Sequence, residues 1–161
     1  RKFLKDAFKL LMSGTEDEVI DYIEQCRAEF KSLPPEEVAF PRSLSNVEKW
    51  KSSTDMYHKG CPIHVRGAIL YNHYTKKKKL TNKYAAIQNG EKIKFCYLKT
   101  PNWMHENVIS FIQDFPTELD LDKHIDYELQ FNKSFMEPVK VILDCIGWET
   151  ERKNTLESFF S

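Results

Sequence analysis

Residues 59–72, Lys-Gly-Cys-Pro-Ile-His-Val-Arg-Gly-Ala-Ile-Leu-Tyr-Asn, decide how the middle of this chain folds. Pro62 suits the first position of a helix, because its missing N–H is not needed there. A helix over residues 63–74 is therefore one prediction. Hydrophobic periodicity alone does not exclude a strand. Three apolar residues would suit a strand equally well: Ile63, Val65 and Ile69.

The same stretch carries side chains that proteins use on phosphates and sugars: an ammonium group, a guanidinium fork, and hydroxyl or amide donors. The candidates are Lys59, His64, Arg66, Tyr71 and Asn72. In a helix, His64 and Tyr71 would share one face, with Arg66 beside it. Gly67 would let a nucleic-acid backbone approach closely. The alternative is an ordinary helix with a satisfied histidine and a solvated arginine.

Positive charge is concentrated in the centre of the chain, although the net charge is zero. Residues 58–99 contain ten Lys or Arg and one acidic residue, whereas residues 1–57 contain 9 basic and 11 acidic groups and residues 100–161 contain 5 and 12. One basic face on an otherwise acidic chain is typical of proteins that bind a polyanion. A solvated lysine loop is the alternative. Further candidates for phosphate contact are Lys76, Lys77, Lys78, Lys79 and Lys83.

Two helices are predicted at the N-terminus, packed as an antiparallel pair. Apolar residues recur at three- and four-residue steps from Phe3 to Met12, and Ser13-Gly14 interrupts the pattern. Thr15 and Glu18 then form a capping box for a second helix, which should end before Pro34-Pro35.

The central residues predict a small β element. Alternation from Gly90 to Lys99 indicates a half-buried strand after an Asn89-Gly90 turn, and a β-hairpin is the natural interpretation. A second short strand is predicted at 108–112. Residues 38–43 are expected to be extended and turn-like, and residues 46–56 could hold a short helix.

A long helix is predicted from Asp122, with a kink at Pro138 and an end at Gly147. Its apolar stripe would consist of Ile125, Leu129, Asn132, Met136, Val139, Leu143 and Ile146. Together these elements predict an α+β fold, mainly helical. We expect one polyanion-binding domain at 1–148 and a flexible tail at 149–161.

The composition predicts a globular chain located in the cytoplasm. Its hydrophobic content is 41%, and no apolar run approaches the roughly 20 residues that would span a membrane. The four cysteines match neither a disulfide framework nor a zinc pattern. We find no phosphate-binding loop, nucleophile pair or magnesium-binding acidic cluster, and therefore predict no catalytic residue, metal or cofactor. The start at Arg1 suggests a piece of a longer protein.

The motif Lys-Gly-Cys-Pro-x-His-x-Arg-Gly, followed by Tyr71-Asn72, resembles the thumb domain of the replicative B-family DNA polymerases of T-even-like phages. Three further segments fall in the same order: Phe40-Pro41-Arg42, Gly90-Glu91-Lys92 and Asp126-Tyr127. The resemblance implies backbone contacts to the primer-template duplex from Lys59, His64, Arg66 and Lys133. Glu137 stands where the family has a second lysine, which Lys140 could replace only in part.

Residues 153–160, Lys-Asn-Thr-Leu-Glu-Ser-Phe-Phe, resemble the clamp-binding peptide Gln-x-x-Leu-x-x-Phe-Phe. Leu156, Phe159 and Phe160 would form a one-turn helical plug that buries two rings in a sliding clamp. Lys153 replaces the glutamine, which should weaken binding without abolishing it. The alternative is a tail that folds back on its own core.

The resemblance implies a thumb that holds duplex DNA and a sliding clamp, while a separate palm and exonuclease portion carries the Mg²⁺ ions for nucleotidyl transfer. The family's catalytic motifs, Asp-x-x-Ser-Leu-Tyr-Pro-Ser and Tyr-Gly-Asp-Thr-Asp, do not occur in the sequence. The chain alone should therefore be inactive. Two other classes stay open: a non-enzymatic nucleic-acid-binding accessory protein with a clamp-binding tail, and a structural domain whose basic face meets an acidic protein.

Overall fold

The computed structural model describes residues 2–149, and its elements confirm the α+β class. The chain divides into two compact units. One is Pro34–Gln130, and the other joins the residues up to Leu33 with those from Phe131 onward. Within residues 2–149, no helix is long and apolar enough to cross a lipid bilayer.

Both predicted N-terminal helices are present, as α1 (Lys2–Ser13) and α2 (Glu16–Lys31). Thr15 caps α2, because its Oγ1 accepts a hydrogen bond of 3.3 Å from the Glu18 backbone N–H. Tyr22 joins the two helices by donating a 3.3 Å hydrogen bond to the Phe3 carbonyl.

The C-terminal helix begins later than predicted and is irregular. Residues Asp122–His124 form a short 3₁₀ turn, followed by α6 (Tyr127–Phe131), a π-helical segment (Asn132–Met136) and α7 (Glu137–Ile146). Pro138 explains the π segment, because its ring has no N–H to donate and pushes the carbonyl four residues earlier out of position. Gly147 ends α7 at a φ of 76°, as predicted.

The π segment shifts the predicted apolar stripe. Asn132 is exposed, and Ile146 is 48% exposed, so neither belongs to the core. The buried side chains recur every four residues across the π segment: Phe131, Phe135, Val139 and Leu143.

The unit Pro34–Gln130 contains a three-stranded antiparallel sheet in the order β1 (Phe40–Ser43), β2 (Lys92–Tyr97), β3 (Val108–Phe111). Two short helices flank β1: α3 (Pro35–Val38) and α4 (Val47–Trp50). The predicted hairpin at Asn89-Gly90 is wrong, because β2 pairs with the distant β1 on one side and with β3 on the other. The strand predicted at 108–112 is confirmed.

Residues 63–77 are helical, which decides between helix and strand for the central motif. This helix, α5 (Ile63–Lys77), packs against β3, and Pro62 precedes it at the N-cap. A Cβ on Gly67 would lie 2.8 Å from the Ser110 backbone nitrogen and closer still to its Oγ. The close approach that Gly67 permits is therefore to β3, not to a nucleic acid.

Candidate nucleic-acid interface

The face of α5 that was predicted to meet DNA is turned into the protein. Ala68 and Tyr71 are 0% and 2% exposed. The Tyr71 hydroxyl donates a 2.9 Å hydrogen bond to the Ala85 carbonyl. The side chain of Asn72 donates to the Ile87 carbonyl at 3.0 Å and accepts from the Ile87 N–H at 2.8 Å. Tyr71 and Asn72 thus hold the following loop, which corrects their predicted role.

The opposite face of α5 is basic and reaches solvent. Arg66 lies on this face and not beside His64 and Tyr71, which corrects its predicted position. Successive helical residues are rotated by about 100°, so side chains seven and eleven positions apart share a face. Arg66, His73 and Lys77 are related in this way, and His73 and Lys77 are exposed. Sequence reasoning missed His73, although its spacing from Arg66 was visible.

Arg66 lies in a cluster with Glu106 and Tyr57. Its Nη1 is 3.7 Å from Glu106 Oε2, and its side chain is 23% exposed. Its guanidinium carbon lies 5.6 Å from the centroid of the Tyr57 ring. The Tyr57 hydroxyl donates to both Glu106 oxygens, at 2.7 and 3.0 Å. The guanidinium is therefore oriented on one side and still reaches solvent.

The Tyr57 hydroxyl keeps its proton near neutral pH. Burial raises the pKa of Tyr57, and the hydrogen bond to Glu106 raises it further. The phenol therefore remains a hydrogen-bond donor to the Glu106 side chain. Within residues 2–149, the buried Nε of Arg66 has no hydrogen-bond partner. The arginine is thus only partly satisfied by its own protein.

Lys59 is exposed and lines a cleft of about 500 Å³ that Tyr57 and Glu106 also line. Arg66 pairs with Glu106. The structure thus brings Lys59 to the neighbourhood of the arginine.

His64 is half-buried beside the sheet. Its ring centroid is 6.5 Å from that of Phe95, and Arg42 lies 5.5 Å from the same Phe95 ring. Burial lowers the pKa of His64, and the nearby Arg42 lowers it further. His64 is therefore neutral at pH 7 and can serve as a hydrogen-bond donor without adding charge. Sequence reasoning did not name Arg42 as a site residue, because strand pairing alone brings it here.

The lysines after Tyr74 are exposed, but they are not equivalent. Lys77 and Lys78 lie over aromatic rings, and no carboxylate of residues 2–149 is within ion-pair distance of Lys76 to Lys79. Lys83 differs, because its Nζ is 3.0 Å from Glu118 Oε2. The Glu118 carboxylate also accepts a 2.7 Å hydrogen bond from Tyr84.

Glu118 is held in its charged form. The hydrogen bonds from Tyr84 and from Lys83 lower its pKa to about 2. The same carboxylate raises the pKa of Lys83. Lys83 is thus neutralised by an internal partner, which makes it the weakest of the five lysine candidates for phosphate contact.

The remaining candidates lie elsewhere in the chain. Lys133 and Lys140 are exposed and belong to the unit that includes the π segment and α7. Their contact with the same DNA stays a prediction. Leu156, Phe159 and Phe160, and the tail from 150 onward, lie outside the described residues. Within residues 2–149, no three His, Cys, Asp or Glu side chains are placed to hold a metal ion.

Comparison with known proteins shows one kind of similarity, to a DNA polymerase. No protein-family model matches the chain. The chain is similar to a DNA-directed DNA polymerase. That polymerase is the enzyme of Enterobacteria phage T4, with 23% identity over 161 residues, which is 98% of this chain. The chain spans only 17% of the length of the polymerase. The similarity supports a polymerase-related origin.

Proposed function

We propose that this chain is the thumb portion of a B-family DNA-directed DNA polymerase, which grips the phosphates of the primer-template duplex during DNA replication. The observation that carries the proposal is the exposed basic face of α5. Arg66 and Lys77 are eleven residues apart, a rise of about 16 Å. Duplex DNA rises about 3.4 Å per base pair along its axis, so this face matches the length of roughly five base pairs.

The charges on this face favour backbone binding over base recognition. Lysine ammonium groups and a guanidinium fork suit phosphate oxygens. Phosphate contacts fix the position of a protein without reading sequence. The grip should therefore depend on salt and be indifferent to the sequence of the duplex.

The other partners follow from the proposed thumb role. A palm and exonuclease portion would supply the Mg²⁺ ions and the chemistry. Leu156, Phe159 and Phe160 would dock on a sliding clamp, which supports processivity because a second attachment raises the effective concentration of the DNA.

A triple lysine variant with a charge-matched control tests the proposal. Changing Lys76, Lys77 and Lys79 to Gln should remove three phosphate contacts, and the salt slope of duplex binding should become shallower by about 2 to 3. The control changes three exposed lysines of α1, Lys2, Lys5 and Lys9, to Gln, with the same loss of net charge. Both variants are titrated against labelled duplexes of two unrelated sequences. Equal weakening by both triple variants would refute a grip located on α5 and the turn that follows it.

A further inference from the structure

The exposed ring of Trp103 and the half-buried ring of Tyr74 form an aromatic platform beside the lysines at the end of α5. The rings of Trp103 and Tyr74 are perpendicular, with centroids 4.9 Å apart, and Trp103 is 37% exposed. Lys78 Nζ lies 4.3 Å from the Trp103 centroid, and Lys77 Nζ lies 5.9 Å from that of Tyr74. A grip on duplex phosphates makes no use of these rings.

The Trp103 ring is fixed in place. Its Nε1–H donates a 2.8 Å hydrogen bond to the Leu119 carbonyl. The neighbouring Asn102 is 6% exposed and braces the loop by itself. The Asn102 amide group donates to the carbonyls of Lys99 and Glu106, at 2.9 and 2.7 Å, and its oxygen accepts from the next-but-one backbone N–H at 3.0 Å. The loop therefore does not need the exposed part of the indole to keep its shape.

We propose that Trp103 and Tyr74 form a stacking site for an unpaired base of single-stranded nucleic acid, with Lys78 and its lysine neighbours on the flanking phosphates. Aromatic faces beside ammonium groups are the combination that single-strand binders use, since every base has a π face. Lys78 is exposed, so its ammonium can leave the indole and meet a phosphate as a base takes its place.

The site selects unpaired strands for a geometric reason. Inside a duplex each base face is covered by its neighbours, so the platform can reach a base only at an end, a frayed junction or a single strand. This inference goes beyond the duplex grip and does not rest on it, because the lysines alone could hold a duplex.

The indole reports directly on the proposed contact. The chain has three Trp, and changing Trp50 and Trp148 to Phe leaves Trp103 as the single indole. This variant is titrated with an eight-residue oligothymidylate and with an abasic oligomer of the same length. We expect quenching of Trp103 by the oligothymidylate only, and roughly 5- to 150-fold tighter binding of it, which corresponds to about 1–3 kcal/mol for one stacked base. Equal affinity and no quenching would overturn the proposal.

A matched substitution separates stacking from charge. Trp50 also has a lysine over its ring, with Lys49 Nζ 5.1 Å from the centroid, so Trp50→Leu is the control for Trp103→Leu. Trp103→Leu should abolish the preference for bases over the abasic oligomer, and Trp50→Leu should keep it. An intact preference in Trp103→Leu would show that the lysines bind a polyanion without stacking. Far-UV circular dichroism checks folding, and if Trp103→Leu is unfolded, the quenching experiment alone decides.

Discussion

The residues around Arg66 orient its guanidinium group for contact with a phosphate. Glu106 and Tyr57 orient the guanidinium on one side, while 23% of the side chain stays exposed. The Nη1 to Oε2 separation of 3.7 Å is longer than a hydrogen bond. A phosphate oxygen could therefore form a shorter, charge-assisted bond than the one that the protein itself provides.

Arg66→Ala should weaken binding to all duplex sequences alike. Loss of one phosphate contact should make the salt slope shallower by about 1. Lys83→Ala is the control. Glu118 already neutralises Lys83, so removal of Lys83 should weaken duplex binding less. Duplex titrations at several salt concentrations measure both variants, and an unchanged slope for Arg66→Ala would exclude that residue from the interface.

His64 should make stability depend on pH. Its folded pKa is lowered by burial and by Arg42, so between the folded and unfolded pKa values the unfolded chain binds more protons. The stability from neutral His64 is present above the unfolded pKa of about 6.5 and is lost as pH falls through the folded value. As the pH falls from 8 to 5, the free energy of unfolding measured with urea should decrease less in His64→Gln than in the unsubstituted protein. A parallel loss in both proteins would contradict this.

At the scale of elements, contact between α5 and β3 positions the basic face. Gly67 allows this contact, and Ser110 Oγ secures it by donating a 2.9 Å hydrogen bond to the His64 carbonyl. The inward face of α5 therefore packs against the sheet, and Arg66 and Lys77 lie on the outward face.

Gly67→Ala should destabilise the protein, although alanine is the better helix former. A methyl group there meets the Ser110 backbone, which cannot yield as a flexible side chain could. Overpacking of this kind costs about 1–3 kcal/mol. Urea unfolding measures the change, and His73→Ala, on the exposed face of the same helix, should stay within about 0.5 kcal/mol. An unchanged free energy of unfolding in Gly67→Ala would contradict this, because it would show that α5 and β3 can move apart at little cost.

The N-terminal helix pair and the end of the last helix were predictable because their signals are local. Thr15 caps α2, and Gly147 ends α7, within one turn of the residues that they affect. The pairing of β2 with β1 was not predictable from an Asn89-Gly90 turn, because the partner strand lies far back in the sequence. The π segment before Pro138 was missed for a similar reason: a proline predicts an irregularity, but not which helical register follows it.

At the scale of the molecule, the basic segment was predictable from charge alone, but the role of each residue was not. Tyr71 and Asn72 have a structural role, because their side chains form hydrogen bonds to the backbone of the loop 85–87. Glu106 and Glu118 come from distant parts of the sequence to meet Arg66 and Lys83. Tertiary contacts therefore determine which of the basic groups remain available to a polyanion.

The clamp prediction also belongs to the whole molecule. Phe159→Ala combined with Phe160→Ala should abolish binding to the cognate sliding clamp, because each large apolar side chain contributes roughly 1.5–3 kcal/mol when buried. Duplex affinity should not change, since the α5 surface is untouched. Calorimetry with the clamp and a parallel duplex titration measure the two effects. Clamp binding that survives the double substitution would exclude the proposed peptide.

The salt dependence of duplex binding by the intact chain tests the central claim most directly. If about three to five phosphates are neutralised, a plot of log K against log salt concentration should have a slope of roughly −3 to −4.5, the same for unrelated sequences. A flat plot would contradict the account, because a basic face that releases no counterions does not grip the DNA backbone.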